Sequence, residues 1–158
     1  MYLIDGHNLL RSVQQLDEEL WDLTDVRLCE MLDRCLARCG RQGRIIFDGV
    51  GPPNKGAFDA MRHLEVFFSG RGVETDAVIE DQLESDPAAA KLTVVSNDRR
   101  LRRAALAARA SVMRCEAFWD YVERQLSRKS PPKEPPGKRQ GLSEGETERW
   151  LDIFDLDA

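Results

Sequence analysis

Five short runs of apolar and β-branched residues, at 2–4, 44–47, 64–68, 92–95 and 111–114, alternate with stretches whose apolar residues recur at helical spacing. This alternation is the strongest constraint on the fold. Strands separated by helices cannot form hairpins; they pair in parallel through right-handed crossovers, with helices covering both faces of the sheet. The run Leu92-Thr93-Val94-Val95 is continuous, as expected of a strand buried on both sides. The expected architecture is α/β, a doubly wound three-layer fold with a mainly parallel sheet. Ligands of such sheets sit at the carboxyl ends of the strands.

The punctuation agrees with this reading. Thr24 is placed to cap a helix reaching about Arg38, with Val26, Cys29, Leu32, Cys35 and Leu36 on one face and Gly40 just past its end. Thr75 is expected to cap a second helix, and Phe118, Trp119, Val122 and Leu126 define an amphipathic helix over 116–126. Composition then changes sharply. Residues 1–127 form the expected domain, 128–142 a Pro-rich extended linker, and 143–158 an acidic amphipathic helix. That helix opens on a Ser143/Glu146 capping box and is expected to dock back on the domain.

The net charge of −5 argues against a broad basic surface for nucleic acid, because phosphate binding relies on Lys and Arg displacing counterions. Any such affinity must be local, and the run Arg99, Arg100, Arg102, Arg103 and Arg109 is its expected place. No apolar stretch approaches a bilayer-crossing length, and the first ten residues lack the basic flank and cleavage site of a signal peptide. A cytoplasmic protein with no membrane partner is expected. Cys29, Cys35 and Cys39 fall in one helix, far from Cys115, and without Cys-x-x-Cys knuckles they read as buried or half-buried thiols.

Acids mark the strand ends. Asp5 follows the first strand, Asp48 the second, and Asp98 lies just beyond the fourth, while Asp76 starts a helix. A parallel sheet brings these ends to one edge, where carboxylates repel unless a cation lies between them. Hard oxygen ligands select Mg²⁺ or Mn²⁺, and such an ion generates a hydroxide nucleophile and neutralises charge on a phosphodiester. Asp5-Gly6-His7-Asn8 is expected as a turn, in which Asn8 either forms the turn or a cap, or orients Asp5, a metal-bound water or a phosphate; Glu80, one turn after Asp76, is either a further ligand or an exposed salt-bridge partner. Ser96 and Asn97, before a helix N-terminus, hold a phosphate, position Asp98 or cap the helix.

The segments Ile4-Asp5-Gly6-His7-Asn8, Phe47-Asp48-Gly49, Thr75-Asp76 with Ile79-Glu80, and Val95-Ser96-Asn97-Asp98 resemble the motifs of the YacP-like branch of NYN-domain proteins, across residues 1–126. The resemblance implies a Rossmann-like PIN/NYN fold, a divalent-metal acidic site and endoribonuclease activity. It further implies that Asp5, Asp76 and Asp98 are the principal metal ligands, supported by Asn8 and Asp48. Two positions depart from the pattern: His7 stands where a tyrosine is usual, and Ala77 where a second acid follows the helix-start aspartate.

The reading that results is a metal-dependent endoribonuclease hydrolysing single-stranded RNA. Asp5, Asn8, Asp48, Asp76 and Asp98 form its site, and Ser96, Asn97, Arg99, Arg100 and Arg103 meet the substrate. The competing reading is an RNA- or ribosome-binding module, or a component of an RNA-decay complex, with weak or no cleavage. Cleavage of DNA is chemically equivalent. A haloacid-dehalogenase-like phosphatase is disfavoured because His7 occupies the place of its second aspartate.

Overall fold

A computed structural model describes residues 1–129, of which Met1–Ser127 form one compact unit. The expected linker and C-terminal helix lie outside the described residues. Five strands, β1 (Tyr2–Asp5), β2 (Gly43–Phe47), β3 (Leu64–Phe68), β4 (Thr93–Val95) and β5 (Ser111–Met113), pair in the order β3-β2-β1-β4-β5. Every pairing is parallel. Six helices connect or follow them: α1 (Gly6–Leu16), α2 (Asp25–Cys39), α3 (Gly56–Asp59), α4 (Thr75–Ser85), α5 (Arg99–Ala107) and α6 (Cys115–Ser127).

Alternation along the strands builds the two cores. Ile4, Ile45 and Val95 pack with α1, α2 and α6, whereas their neighbours Leu3, Ile46 and Val94 pack with α4 and α5. Side chains of successive strand residues point to opposite faces, so the central strands are apolar throughout. The chain grows outward from β1 to β3 and then returns to β4 on the other side of β1. The crevice between the carboxyl ends of β1 and β4 is therefore the switch point of the sheet, the place where such folds bind ligands.

Two helix boundaries behave as expected, with Thr24 Oγ1 accepting from the Arg27 amide at 3.3 Å and Gly40 in the left-handed region at φ 62°. The first helix was not anticipated. The Gly6-His7-Asn8 segment, expected as a turn, enters α1 directly, and Asp5 is its N-cap. Gly6 makes that entry possible, because a Cβ there would lie 2.6 Å from the Phe47 ring and 2.8 Å from the Ile46 carbonyl oxygen. Asp33 fixes the start of β3 by accepting from the amides of Arg62, His63 and Leu64 at 2.7–3.1 Å.

Candidate active site

Three helix N-termini meet the carboxyl edge of the sheet, and each carries an acid. Asp5 ends β1 and caps α1, Asp98 caps α5, and Asp76 lies in the first turn of α4. Negative side chains are favoured there by the unpaired amides and the helix dipole. The sequence thus explains their positions locally before any ligand is invoked.

Asp5 is the deepest of the set, 6% exposed. Parallel pairing sets Ile4 against Val95, so the next residues, Asp5 and Ser96, face each other across the crevice. The Ser96 hydroxyl donates to Asp5 Oδ2 at 3.1 Å and accepts from the Asp98 amide at 3.0 Å, while Asp5 Oδ1 accepts from the Asn8 amide at 3.4 Å. Burial pushes the Asp5 carboxyl up to about 6; Asp76 and Asp48 add to the rise, and the bonds from Ser96 and Asn8 restrain it. Asp76 is raised too, by burial first and then by Asp98, with Arg100 opposing. Asp5 therefore feels the charges of Asp76 and Asp48, and Asp76 feels that of Asp98. Among the described residues, no three His, Cys, Asp or Glu side chains stand close enough to hold a metal directly.

Asp48 has a different environment. Burial opposes its ionisation, but the hydroxyl and amide of Thr75, with His7, hold its carboxyl below the usual value. Both Thr75 groups donate to Asp48 Oδ1, at 2.7 and 2.8 Å. Thr75 is thus the first residue of α4 and not its cap; the cap position is Glu74, which makes no side-chain capping bond. The hydroxyl expected to accept from the helix instead donates to the acid that follows β2, and Asp48 anchors the turn that carries Asp76. His7 Nδ1 accepts from the Asp48 amide at 3.1 Å and lies 3.3 Å from Asp48 Oδ2. A bare Nδ1 serves the first contact and an N–H at Nδ1 the second, so the tautomer of His7 decides between them.

The residues expected to meet substrate divide into two groups. Ser96 is fully buried, with its hydroxyl spent between Asp5 and Asp98, so it positions acids and does not reach a solute. Asn97 is a strut: its amide nitrogen donates to Glu116 at 2.6 Å and Ser12 at 3.3 Å, and its oxygen accepts from the Cys115 amide at 3.0 Å. Asn8 Oδ1 accepts from the Asn97 amide at 3.3 Å, which leaves the Asn8 Nδ2 hydrogens without a protein acceptor among the described residues. Arg100 forms a two-pronged pair with Glu80 at 2.6 and 2.7 Å, so the salt-bridge alternative for Glu80 is the one realised. Arg99 and Arg103 are exposed.

Sequence reasoning missed Thr75 and His7 as partners of Asp48, and Ser12 and Glu116 as supports of Asn97. Ser12 lies on the unanticipated α1, and Glu116 carries no local signal. The cysteines behave as expected: Cys29, Cys35 and Cys115 are buried free thiols and Cys39 is half-buried. Burial pushes the Cys115 thiol up to about 12, which makes it inert as a nucleophile.

Residues 2–154 match the family model described as the YacP-like NYN domain. The chain belongs to that family. Among solved structures, this NYN domain is similar to a crystal structure of a mutant form of Rae1 (YacP) from Bacillus subtilis, with 19% identity and a TM-score of 0.60 over 79% of this chain and 76% of that one. At that identity the likeness shows the shared fold, a parallel five-stranded sheet flanked by helices. No curated protein matches the chain. No helix among the described residues is long and apolar enough to cross a membrane.

Proposed function

We propose that this NYN domain is a cytoplasmic, metal-dependent endoribonuclease that hydrolyses phosphodiester bonds in single-stranded RNA. The observation that carries the reading is Asp5: a carboxylate buried at the switch point beside Asp76 and Asp48, in a setting that disfavours its charge. A buried acid repelled by other acids is stabilised by a cation, and the donors at this edge are carboxylate oxygens suited to Mg²⁺ or Mn²⁺. Asp5, Asp76 and Asp98 do not stand close enough together to ligate one ion directly as a set, so they would hold it partly through its bound waters, as Mg²⁺ sites commonly do. When bound, it supplies an acidified water and stabilises charge on the phosphodiester.

The chain's own residues do the remaining work. Ser96 fixes the Asp5 carboxylate and the start of α5 together. Asp48 holds the turn carrying Asp76. The unpaired Asn8 amide is available to a phosphate oxygen, and the exposed Arg99, next to Asp98, and Arg103, one turn further along α5, would steer the backbone. Arg100 tempers the charge on Asp76. Protons compete with the cation for Asp5, so activity should rise through about pH 6.

The second reading is an RNA-binding module acting on a ribosome or in a decay complex. Ala77 favours it, since the expected second acid of that motif is missing. Incubation of the protein and Asp5→Asn with labelled single-stranded RNA and matching DNA, with Mg²⁺, Mn²⁺ or EDTA, separates the readings. Metal-dependent RNA cleavage lost in the variant supports the nuclease; RNA binding without cleavage in either protein supports the module.

A further inference from the structure

The arginines of α5 fall into two sets. Arg100 turns toward Glu80 and Glu74 on the acid side. Arg99, Arg102, Arg103 and Leu106, joined by Arg114 just past the carboxyl end of β5, line an open recess of about 390 Å³. No acid lines it, and none of these four arginines forms an ion pair among the described residues. Four cations around one recess repel one another, on a chain whose net charge is −5. An anion relieves that repulsion, and guanidinium groups match phosphate oxygens in two-pronged geometry.

Placement identifies the anion. Residues 99, 102, 103 and 106 share one face of α5, and from Arg99 to Leu106 that face runs about 10 Å. It starts at the residue adjoining Asp98 and follows α5 back toward the start of β5, so the recess leads away from the acid cluster down the flank of the sheet. Leu106, 61% exposed, puts an apolar surface at its far end. We infer that this recess is the path of the RNA strand leaving the acid cluster: the four arginines hold successive backbone phosphates, and Leu106 lies under a base. The inference rests on the ribonuclease reading. It adds Arg102, Arg114 and Leu106 to the substrate surface, withdraws Arg100 from it, and requires a substrate that extends beyond the scissile bond on one side.

The test is fluorescence anisotropy with a labelled single-stranded RNA in EDTA across a salt series, for the full chain, Arg102→Gln/Arg114→Gln, and the control Arg41→Gln/Lys91→Gln. The control pair is exposed at the opposite edge of the sheet and removes the same charge. Each lost phosphate contact on a single strand lowers the slope of log affinity against log salt by about 0.7. The recess variant should therefore lose about 1.4 of slope and at least tenfold in affinity, and the control should bind like the parent. Arg102→Lys/Arg114→Lys should restore most of the slope, which separates charge from misfolding. Equal slopes for recess variant and control overturn the inference, as does a parent that binds polyglutamate but not RNA. Cleavage measured with Mn²⁺ on the same proteins keeps the two claims apart. A cleaving parent whose recess variant binds and cleaves unchanged refutes the recess alone; a parent that never cleaves but shows the slope change refutes the nuclease alone.

Discussion

Replacing Asp5 with asparagine should stabilise the metal-free protein at neutral pH, although it should abolish activity. The Asp5 carboxyl is raised from 3.8 to about 6 in the fold, mainly by burial. Between those values the folded chain keeps a proton that the unfolded chain has lost, so stability falls as pH rises from about 4 to about 6 and stays low above it. A difference of about 2 units at about 1.4 kcal/mol per unit corresponds to about 3 kcal/mol. Asparagine caps a helix as well as aspartate, but one of its two ends must face either Ser96 Oγ or the Asn8 amide less well. One impaired hydrogen bond costs about 1 kcal/mol, leaving a net gain of about 2 kcal/mol. Urea unfolding of both proteins in EDTA at pH 7.5 and pH 4 measures it. The gain should appear at pH 7.5 and vanish at pH 4, and excess Mg²⁺ should raise the parent's midpoint while leaving the variant's unchanged. A variant no more stable than its parent at pH 7.5 would refute the reasoning that Asp5 is held in an unfavourable charged state.

Asp48→Ala should act in the opposite sense. A carboxylate held below its usual value lends stability above its unfolded pKa that is lost as pH falls through the lower folded value, so the variant should be the less stable at pH 7 and should converge on the parent in strong acid. Ser96→Ala removes a donor to Asp5 and an acceptor for the Asp98 amide; the acid limb of the pH–rate profile should move to higher pH, which stopped-time cleavage assays would detect. Gly6→Ala forces a Cβ against Phe47 and the Ile46 carbonyl, and calorimetry should show a loss of about 1–3 kcal/mol. Asn97→Ala should cost about 2 kcal/mol in urea unfolding by stranding the amide of buried Cys115 and the other partners of Asn97.

The fold was legible because its strands are period-2 or continuous apolar runs, and Asp5, Asp48 and Asp98 because each ends or closely follows such a run; Asp76 was read from a helix start. Leu92 to Val95 and Arg44 to Phe47 left few alternatives to a parallel sheet. What the sequence hid were features that depend on neighbours distant along the chain. α1 was obscured because Asp-Gly-His-Asn has turn chemistry in isolation; its entry is set by the Phe47 ring pressing on Gly6 from another strand. Thr75 matched a cap by local rules, yet its hydroxyl turns to Asp48, 27 residues away. Ser96 and Asn97 read as phosphate contacts, supports of Asp98 or caps; Ser96 does hold the Asp98 amide, but only packing shows that it is also buried against Asp5 and that Asn97 ties β4 to α6. The arginine run gave no sign of its division, because Glu80 that captures Arg100 and Arg114 that completes the recess lie on other elements.

Mn²⁺ binding followed by electron paramagnetic resonance tests the central claim most directly, since it asks whether the gathered carboxylates hold a divalent cation without relying on any RNA. The parent should bind Mn²⁺ saturably, and Asp5→Asn, Asp76→Asn and Asp98→Asn should each weaken that binding at least tenfold while Asp81→Asn, exposed on the outer face of α4, leaves it intact. A parent that leaves all Mn²⁺ free at millimolar concentration, or site variants that bind it as the parent does, would contradict the account.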